Sequence, residues 1–308
     1  MNMKKIWIYL RVFRVNQWIK NFVLFTAIIF SGKLFDVELF SRSFYAFLVF
    51  CFLSSTSYVL NDIIDYPFDK KHPVKKNRPI AAGEITVAQA TFIVFILSAV
   101  SLIAALLFSY SLFFLSLVFL VLHFLYSLYL KKKPVFDVFA ISFSFMIRTF
   151  AGEVATGFHI PIWLLLTIFF GSLFMASVKR HAELTLRGSD TRESLFRYKE
   201  HFLDFLTYTF ATSTIIAYST YTYYMEKPPE TTQSSFSRTF HQIFPGFEGR
   251  RWLMITIPLV VYGIARYAQL LYERAEGERP EKIITTDIPL IGTLCLWGIT
   301  TIALIYIF

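Results

Sequence analysis

The sequence predicts an all-α integral membrane protein: one membrane domain over residues 1–308, with nine transmembrane helices bundled around a cavity on the cytoplasmic side. Three observations carry that prediction. Apolar residues make up 56% of the chain, 36 of them phenylalanine, and the mean hydropathy is +0.54, too apolar for a domain that faces water. The apolar runs recur at lengths of roughly 20 residues, enough for a helix to cross the hydrocarbon core. Lysine and arginine are shared unequally between alternate loops, as topology in a membrane requires.

Taken in order, Met3 to Arg14 (MKKIWIYLRVFR) mixes basic and aromatic residues and ends too soon to span. Residues 1–15 are therefore an amphipathic lead-in lying in the interface. No small-residue cleavage site follows a clean apolar core, which argues against a signal peptide. The nine-helix bundle occupies 17–308, with spans near 17–33, 42–61, 86–108, 111–130, 135–157, 160–178, 202–225, 250–272 and 284–307.

The basic residues orient these spans. Lys4, Lys5, Arg11, Arg14 and Lys20 precede or open span one, Lys70 to Arg78 follow span two, and Lys131 to Lys133 follow span four. Lys179 to Lys199 follow span six, and Arg266 to Lys282 follow span eight. The other side receives only Lys33, Arg42, Lys227, Arg238, Arg250 and Arg251. The positive-inside rule then puts the N-terminus on the cytoplasmic side and the C-terminus outside; the membrane expected is the inner, cytoplasmic membrane of a cell. The outer loop Glu226 to Gly249, rich in Pro, Thr, Ser and Gln, reads as a cover or a mobile insertion. The net charge of +9 is spread over several short loops, which excludes nucleic acid as a partner and leaves the bilayer. Cys51 and Cys295 lie in apolar runs with no CxxC or histidine partner, so neither a disulfide nor a zinc framework is indicated.

The stretch from Ser54 to Ile85 carries the chemistry. Ser54, Tyr58, Asn61, Asp62 and Asp65 share one helical face. Pro67 disfavours helical geometry at Tyr66 and removes a donor, so the helix is expected to end or kink there and Asp69 to reach the same spot from a bend. Such acids suit Mg²⁺, which takes one or two carboxylates together with phosphate oxygens and water. Lys75 and Arg78, just downstream, are placed to hold phosphate. The plainer alternative makes these side chains headgroup-level charge.

Other intramembrane polar residues extend the same site. On span one, Asn16, Gln17, Lys20 and Asn21 lie on one side of a helix. Span five carries Arg148, Thr149, Gly152, Glu153 and Thr156; an unpaired arginine there costs about 2.5–3.5 kcal/mol on insertion scales, so it needs a partner or a wet cavity. An internal Arg148–Glu153 pair is the competing reading, at a poor spacing. Span six ends with Ser172, Ala176, Lys179 and Glu183 on one face. Tyr126, Tyr129 and Lys131 to Lys133 close span four as an aromatic belt with topological charge, and His123 and His159 read as packing residues.

The pattern N-D-x-x-D-x-x-x-D, formed by Asn61, Asp62, Asp65 and Asp69 near the inner end of span two, resembles the first aspartate-rich motif of the UbiA superfamily of membrane prenyltransferases. The resemblance extends over the whole chain in span count and loop placement. It implies that these residues bind Mg²⁺ and diphosphate. A second aspartate-rich motif is expected after span six, but here Lys179, Arg180, His181, Ala182 and Glu183 stand in its place. With RVNQWIKN (14–21), HPVKKNRPIAAG (72–83), RTFAGEVATG (148–157) and KRHAEL (179–184), the chain is similar to one branch of the superfamily, the decaprenyl-phosphate phosphoribosyltransferases.

That branch implies transfer of 5-phosphoribose from phosphoribosyl pyrophosphate to a polyprenyl phosphate in cell-envelope precursor synthesis, by an enzyme working as a homo-oligomer. Charge fits: a diphosphate, a 5-phosphate and a lipid phosphate share one cavity, and exchanging one acidic motif for Lys179 and Arg180 answers three anions better than one. The roles expected are metal binding for Asp62, Asp65 and Asp69, with Asn61 beside them, and diphosphate binding for Lys75 and Arg78. The 5-phosphate falls to Lys179, Arg180 and Lys133, with Tyr126 and Glu183 lining the site; the lipid phosphate falls to Lys20, Asn21 and Arg148. Two alternatives stay open. One is a prenyltransferase moving a prenyl group from its diphosphate to an aromatic or other acceptor; the other is a transporter or lipid-binding protein with a midplane ion site.

Overall fold

The computed structural model describes residues 3–72, 74–187, 200–225, 239, 243, 251–273 and 286–306. Almost all of the outer loop expected at 226–249 lies outside them. The described residues contain helices and no strand. The chain divides into two compact units, Met1–His159 and Ile160–Phe308.

The first unit is built on one long helix. It contains α1 (Met3–Val12), a 3-10 segment (Val15–Phe25), α2 (Thr26–Phe30), α3 (Val37–Asp69), α4 (Val87–Phe108), α5 (Tyr110–Leu128) and α6 (Phe136–Thr156). Helix α3 is 33 residues long, about 50 Å at 1.5 Å per residue, so it outruns a hydrocarbon core of about 30 Å. Asp36 starts it by accepting from the backbone N–H groups of Glu38 and Leu39. Its middle is the core of the unit: Phe50 and Leu53 are fully buried, and the Phe50 ring meets Phe119 of α5 edge-on at 5.3 Å. The run Ser55, Thr56, Ser57 satisfies its hydroxyls on the carbonyls of Cys51, Phe52 and Leu53, which lets polar side chains pack within the bundle.

Two expectations about these elements are corrected. Helix α3 does not stop at Pro67; it continues to Asp69. The missing N–H falls in the last turn, where the helix ends two residues later, so little of the hydrogen-bond ladder is lost. The stretch expected as a first α-helical span is instead an 11-residue 3-10 segment followed by five residues of α-helix. Runs of 3-10 helix this long are uncommon and mark strain or a functional hinge. Its path is fixed by α6: a Cβ on Gly152 would lie 2.0 Å from the carbonyl oxygen of Leu24, so the two backbones touch where only glycine allows it.

The second unit contains α7 (Ile162–Arg187), α8 (Glu200–Tyr224), a short 3-10 turn (Trp252–Thr256), α9 (Ile257–Glu273) and α10 (Ile288–Tyr306). Helices α7 and α8 pair along their length. A buried polar knot ties α8 to the later elements: the Tyr218 hydroxyl lies 2.6 Å from Thr256 Oγ1 and accepts from Trp297 Nε1 at 2.9 Å.

Among the described residues, seven helical stretches are long and apolar enough to cross a membrane, and Val15–Phe30 is a shorter apolar one. The protein is thus a multi-pass membrane protein. Helix α8, expected as a span, is 25 residues long but is not among the seven; its sequence carries Glu200, His201, Asp204 and many hydroxyls.

Candidate functional site

The acidic row sits at the C-terminal end of α3, the negative end of the helix dipole, where carboxylates are disfavoured unless cations come to them. Three cations do. Asp62 Oδ1 accepts from Arg14 Nη2 at 2.5 Å and from Arg78 Nη1 at 2.9 Å, and the same Arg78 nitrogen reaches Asp69 Oδ2 at 2.6 Å. Asp65 faces another partner: Lys131 Nζ lies 2.5 Å from its Oδ1 and 3.1 Å from Asn61 Oδ1, while Asn61 donates to Asp65 Oδ2 at 2.9 Å.

The four residues expected to converge on one spot therefore divide in two. Asp62 and Asp69, two turns apart, form one row around Arg14 and Arg78; Asn61 and Asp65, one turn apart, form a second around Lys131. Helical spacing separates the rows by roughly one residue's rotation, enough to give them different cations. The carboxyl side chains of Asp62 and Asp69 are only 6% and 4% exposed, whereas Arg14 and Arg78 are 23% and 25% exposed. The guanidinium groups form the reachable surface of the cluster.

Local structure sets the cations. Arg14 lies between α1 and the 3-10 segment with φ 48 and ψ 50, a left-handed conformation, and its guanidinium stands 5.0 Å from the centre of the Tyr58 ring. Burial works against its charge, but Asp62, with Tyr58 and Asp69 adding to it, outweighs that, so its pKa is pushed up. Arg78 ends the 3-10 turn Lys75–Asn77. That turn is held by Arg11, whose Nη1 lies 3.1 Å from both carboxylate oxygens of Glu84 and whose Nη2 donates to the Asn77 carbonyl at 2.6 Å. The His72 ring nitrogen Nδ1 accepts from the backbone of Val74 and Lys75, shaping the same loop.

One turn earlier on α3, Tyr58 donates to Gln17 Oε1 at 3.3 Å and lies 3.5 Å from Lys20 Nζ. Deeper still, Arg148 is 3% exposed. Its Nε donates to Asn21 Oδ1 at 2.6 Å, its Nη1 to the carbonyl and hydroxyl of Ser144 at 2.8 and 3.0 Å, and its Nη2 to Ser54 Oγ at 3.3 Å. The rings of Phe119 and Phe145 cover it. An Arg148–Glu153 pair does not form: five residues turn the two side chains apart, and Glu153 Oε2 lies 3.8 Å from His159 Nδ1 instead. Nor do the polar residues of the first segment share one side, since Asn16 is exposed while Gln17 and Asn21 are buried. Lys133 is exposed and Tyr126 half-buried; Lys131 is buried and meets Asp65.

Lys179, Arg180 and Glu183 belong to α7 of the second unit. Glu183 is ion-paired with Arg180, which is 1% exposed, so the carboxylate one turn along the helix serves the buried arginine. Next to them His181 Nε2 lies 3.1 Å from Asp204 Oδ1, which also accepts from Tyr272 at 2.9 Å.

Sequence reasoning missed Arg14, Lys131 and the Arg11–Glu84 contact as parts of the site. Arg14 and Lys131 had counted as topological charge; the only signal for Arg14 was its place within RVNQWIKN, and Lys131 carried none that separated it from its two neighbours.

With this geometry in view, the comparison with known proteins is direct. The model of the UbiA prenyltransferase family matches residues 22–184. The chain belongs to that family. The match takes in both acid rows, Arg148 and the Lys179 to Leu184 segment, and begins after Arg14, Gln17, Lys20 and Asn21. The chain is 30% identical over 305 residues to the decaprenyl-phosphate phosphoribosyltransferase of Corynebacterium glutamicum, covering 97% of this chain and 86% of that one. It is 31% identical over 304 residues to the enzyme of the same name from Mycolicibacterium smegmatis, covering 96% and 92%. Its fold matches that of a UbiA homologue from Archaeoglobus fulgidus, determined bound to GPP and Mg²⁺, with a TM-score of 0.69 at 21% identity, over 97% of this chain and 100% of that one.

The acid row fits a hard divalent cation. Oxygens of Asp62 and Asp69 both lie within hydrogen-bond reach of a single Arg78 nitrogen, so one cation position is already shared by two carboxylates. Two carboxylates with phosphate oxygens and water complete a Mg²⁺ shell. Among the described residues no three acidic, histidine or cysteine side chains form a metal cluster, because Asp65 is turned to Lys131.

Proposed function

We propose that this UbiA-family protein transfers 5-phosphoribose from phosphoribosyl pyrophosphate to a polyprenyl monophosphate of the decaprenyl type, releasing diphosphate. The observation that carries it is the similarity, over nearly the whole of both chains, to relatives named decaprenyl-phosphate phosphoribosyltransferase. The chemistry of the α3 end supports it: a pair of carboxylates enclosed by guanidinium groups is suited to a polyanionic substrate that arrives with a divalent cation.

In this reading Asp62 and Asp69 hold Mg²⁺, which when bound would neutralise charge building on the leaving diphosphate. Arg78 and Lys75 bind diphosphate oxygens. Asp65 and Asn61, through Lys131, fix the second row and keep a cation close to the donor. Lys20 and Gln17, next to Tyr58, meet the phosphate of the lipid. One of its oxygens attacks C1 of the ribose as the C1–O bond to diphosphate breaks and the bonding pair leaves with diphosphate. A phosphate monoester is ionised near neutral pH, so the attack calls for no strong base. In-line displacement inverts the configuration at C1. Lys179, Lys133 and Arg180 stay in the proposal as candidates for the 5-phosphate on the strength of their charge. Arg148 and Asn21 are proposed to support the lipid-phosphate residues rather than to touch substrate, since their polar atoms are taken up by one another, Ser54 and Ser144. The donor side faces the cytoplasm in this scheme, and the product enters cell-envelope polysaccharide synthesis.

The test is an assay of the detergent-purified protein with Mg²⁺, polyprenyl phosphate and phosphoribosyl pyrophosphate labelled in the ribose. Label is expected to move into lipid with one diphosphate released per transfer. Label transfer only from a prenyl diphosphate to an aromatic acceptor would replace this function with the conventional prenyltransferase.

A further inference from the structure

Arg14 differs from an ordinary counter-ion in three ways. Its backbone is left-handed, at φ 48 and ψ 50, a conformation that costs an L-residue energy unless its surroundings hold it. It is joined to Asp62 through one nitrogen, Nη2, at 2.5 Å; the other donors of the fork have no partner among the described residues. And it is reachable, with 23% of its side chain exposed against 6% for Asp62.

Charge makes these facts informative. Asp62 and Asp69 bring two negative charges, and the two arginines that touch them, Arg14 and Arg78, bring two positive ones, with the charge of Lys75 also felt at Asp69. A divalent cation taking the same two carboxylates would leave an excess of two positive charges in a half-buried site. That is favourable only if an anion enters with it or an arginine withdraws. Arg78 is the poorer candidate to withdraw: it bridges both carboxylates, and its loop is latched by Arg11 to Glu84 and Asn77. Arg14 has one side-chain hydrogen bond, a ring contact with Tyr58, spare donors and a left-handed backbone.

We infer that Arg14 is the exchangeable counter-ion of the site: it neutralises Asp62 when the site is empty, and hands its guanidinium to phosphate oxygens of the donor when a divalent cation takes Asp62. The inference rests on the metal-binding role proposed above for Asp62 and Asp69. It couples metal and donor binding, because the cation that competes with the metal becomes a ligand of the anion.

The test is Mn²⁺ binding without substrate to the full-length purified protein, followed by electron paramagnetic resonance of the free ion, in wild type, Arg14→Asn, Arg14→Gln and Arg14→Lys. Asparagine tolerates the left-handed backbone and is too short to reach Asp62, so Arg14→Asn keeps the fold while removing the charge. Removing a cation in contact with a carboxylate changes that carboxylate's affinity for a competing cation by about tenfold or more. Mn²⁺ is therefore expected to bind Arg14→Asn and Arg14→Gln about tenfold more tightly than wild type, with Arg14→Lys close to wild type. At saturating Mn²⁺, the two neutral variants should bind phosphoribosyl pyrophosphate more weakly than wild type. Wild-type Mn²⁺ affinity in both neutral variants, or a lysine variant that behaves like them, would overturn the exchange while leaving the proposed function standing. Failure of the wild type and every variant to bind Mn²⁺ would overturn the exchange together with the metal-binding role.

Discussion

The Nε–H of Arg148 donates to Asn21 Oδ1 at 2.6 Å, joining α6 to the 3-10 segment by a charged hydrogen bond that is buried at both ends. All of the arginine's recorded hydrogen-bond partners are neutral, so its charge is carried by dipoles and two aromatic faces. Asn21→Ala leaves a charged N–H without an acceptor, which costs more than the roughly 1–3 kcal/mol of a neutral group. A clear drop in Tm in detergent is expected. Asn21→Asp keeps an acceptor and adds a counter-charge, so its Tm should stay well above that of the alanine variant; equal losses in both would show that shape rather than the hydrogen bond matters there.

Gly152 secures the same junction by backbone contact. The 2.0 Å approach of a built Cβ to Leu24 O involves a main-chain atom that no rotamer change can move. Gly152→Ala should destabilise by about 3 kcal/mol or more, the upper end of overpacking, and should lower transfer by displacing Gln17 and Lys20. Gly171→Ala on α7 is the control, since its Cβ would meet Thr214 Cγ2 at an ordinary 3.5 Å. Thermal unfolding of the two variants side by side checks the difference.

These contacts also mark how far the sequence could be read. The membrane class, the helical positions and the acid row were legible, because apolar length and carboxylates at helical spacing are local properties. What fails locally is geometry imposed by a neighbour: Val15–Phe25 has an ordinary helical pattern and becomes 3-10 where it lies on Gly152. Pro67 carried a true local signal whose effect is small because it falls in the final turn of α3. Pairing was the least legible feature, since nothing in three consecutive lysines tells which one, Lys131, will be drawn to Asp65.

The division of the acid row gives different expectations for its members. Asp62→Asn and Asp69→Asn remove the shared cation position and should reduce transfer by more than about a hundredfold. Asp65→Asn disturbs a supporting contact with Lys131, and an effect of about 10- to 100-fold is the usual range for such outer-shell changes. Initial rates at several Mg²⁺ concentrations, with Tm as a check on folding, separate the two: added Mg²⁺ should recover part of the loss in Asp65→Asn and little in the others. Equal losses and equal recovery in all three would return Asp65 to the metal.

The Arg11–Glu84 contact tests whether the loop bearing Arg78 must be held. The pair is about one-third exposed on each side, so as a salt bridge it contributes only about 0.2–1 kcal/mol to stability. As a latch it does more, because Arg11 also carries the Asn77 carbonyl, one residue before the guanidinium that bridges Asp62 and Asp69. Glu84→Arg should therefore raise the donor KM several-fold while Tm moves little, and kcat at saturating donor should stay near wild type. The exchanged pair, Arg11→Glu with Glu84→Arg, restores the charge contact and should recover part of that KM, but not all of it, since glutamate cannot donate to the Asn77 carbonyl. A KM unchanged in the single variant would mean that the loop holds Arg78 in place through His72 and its own turns alone.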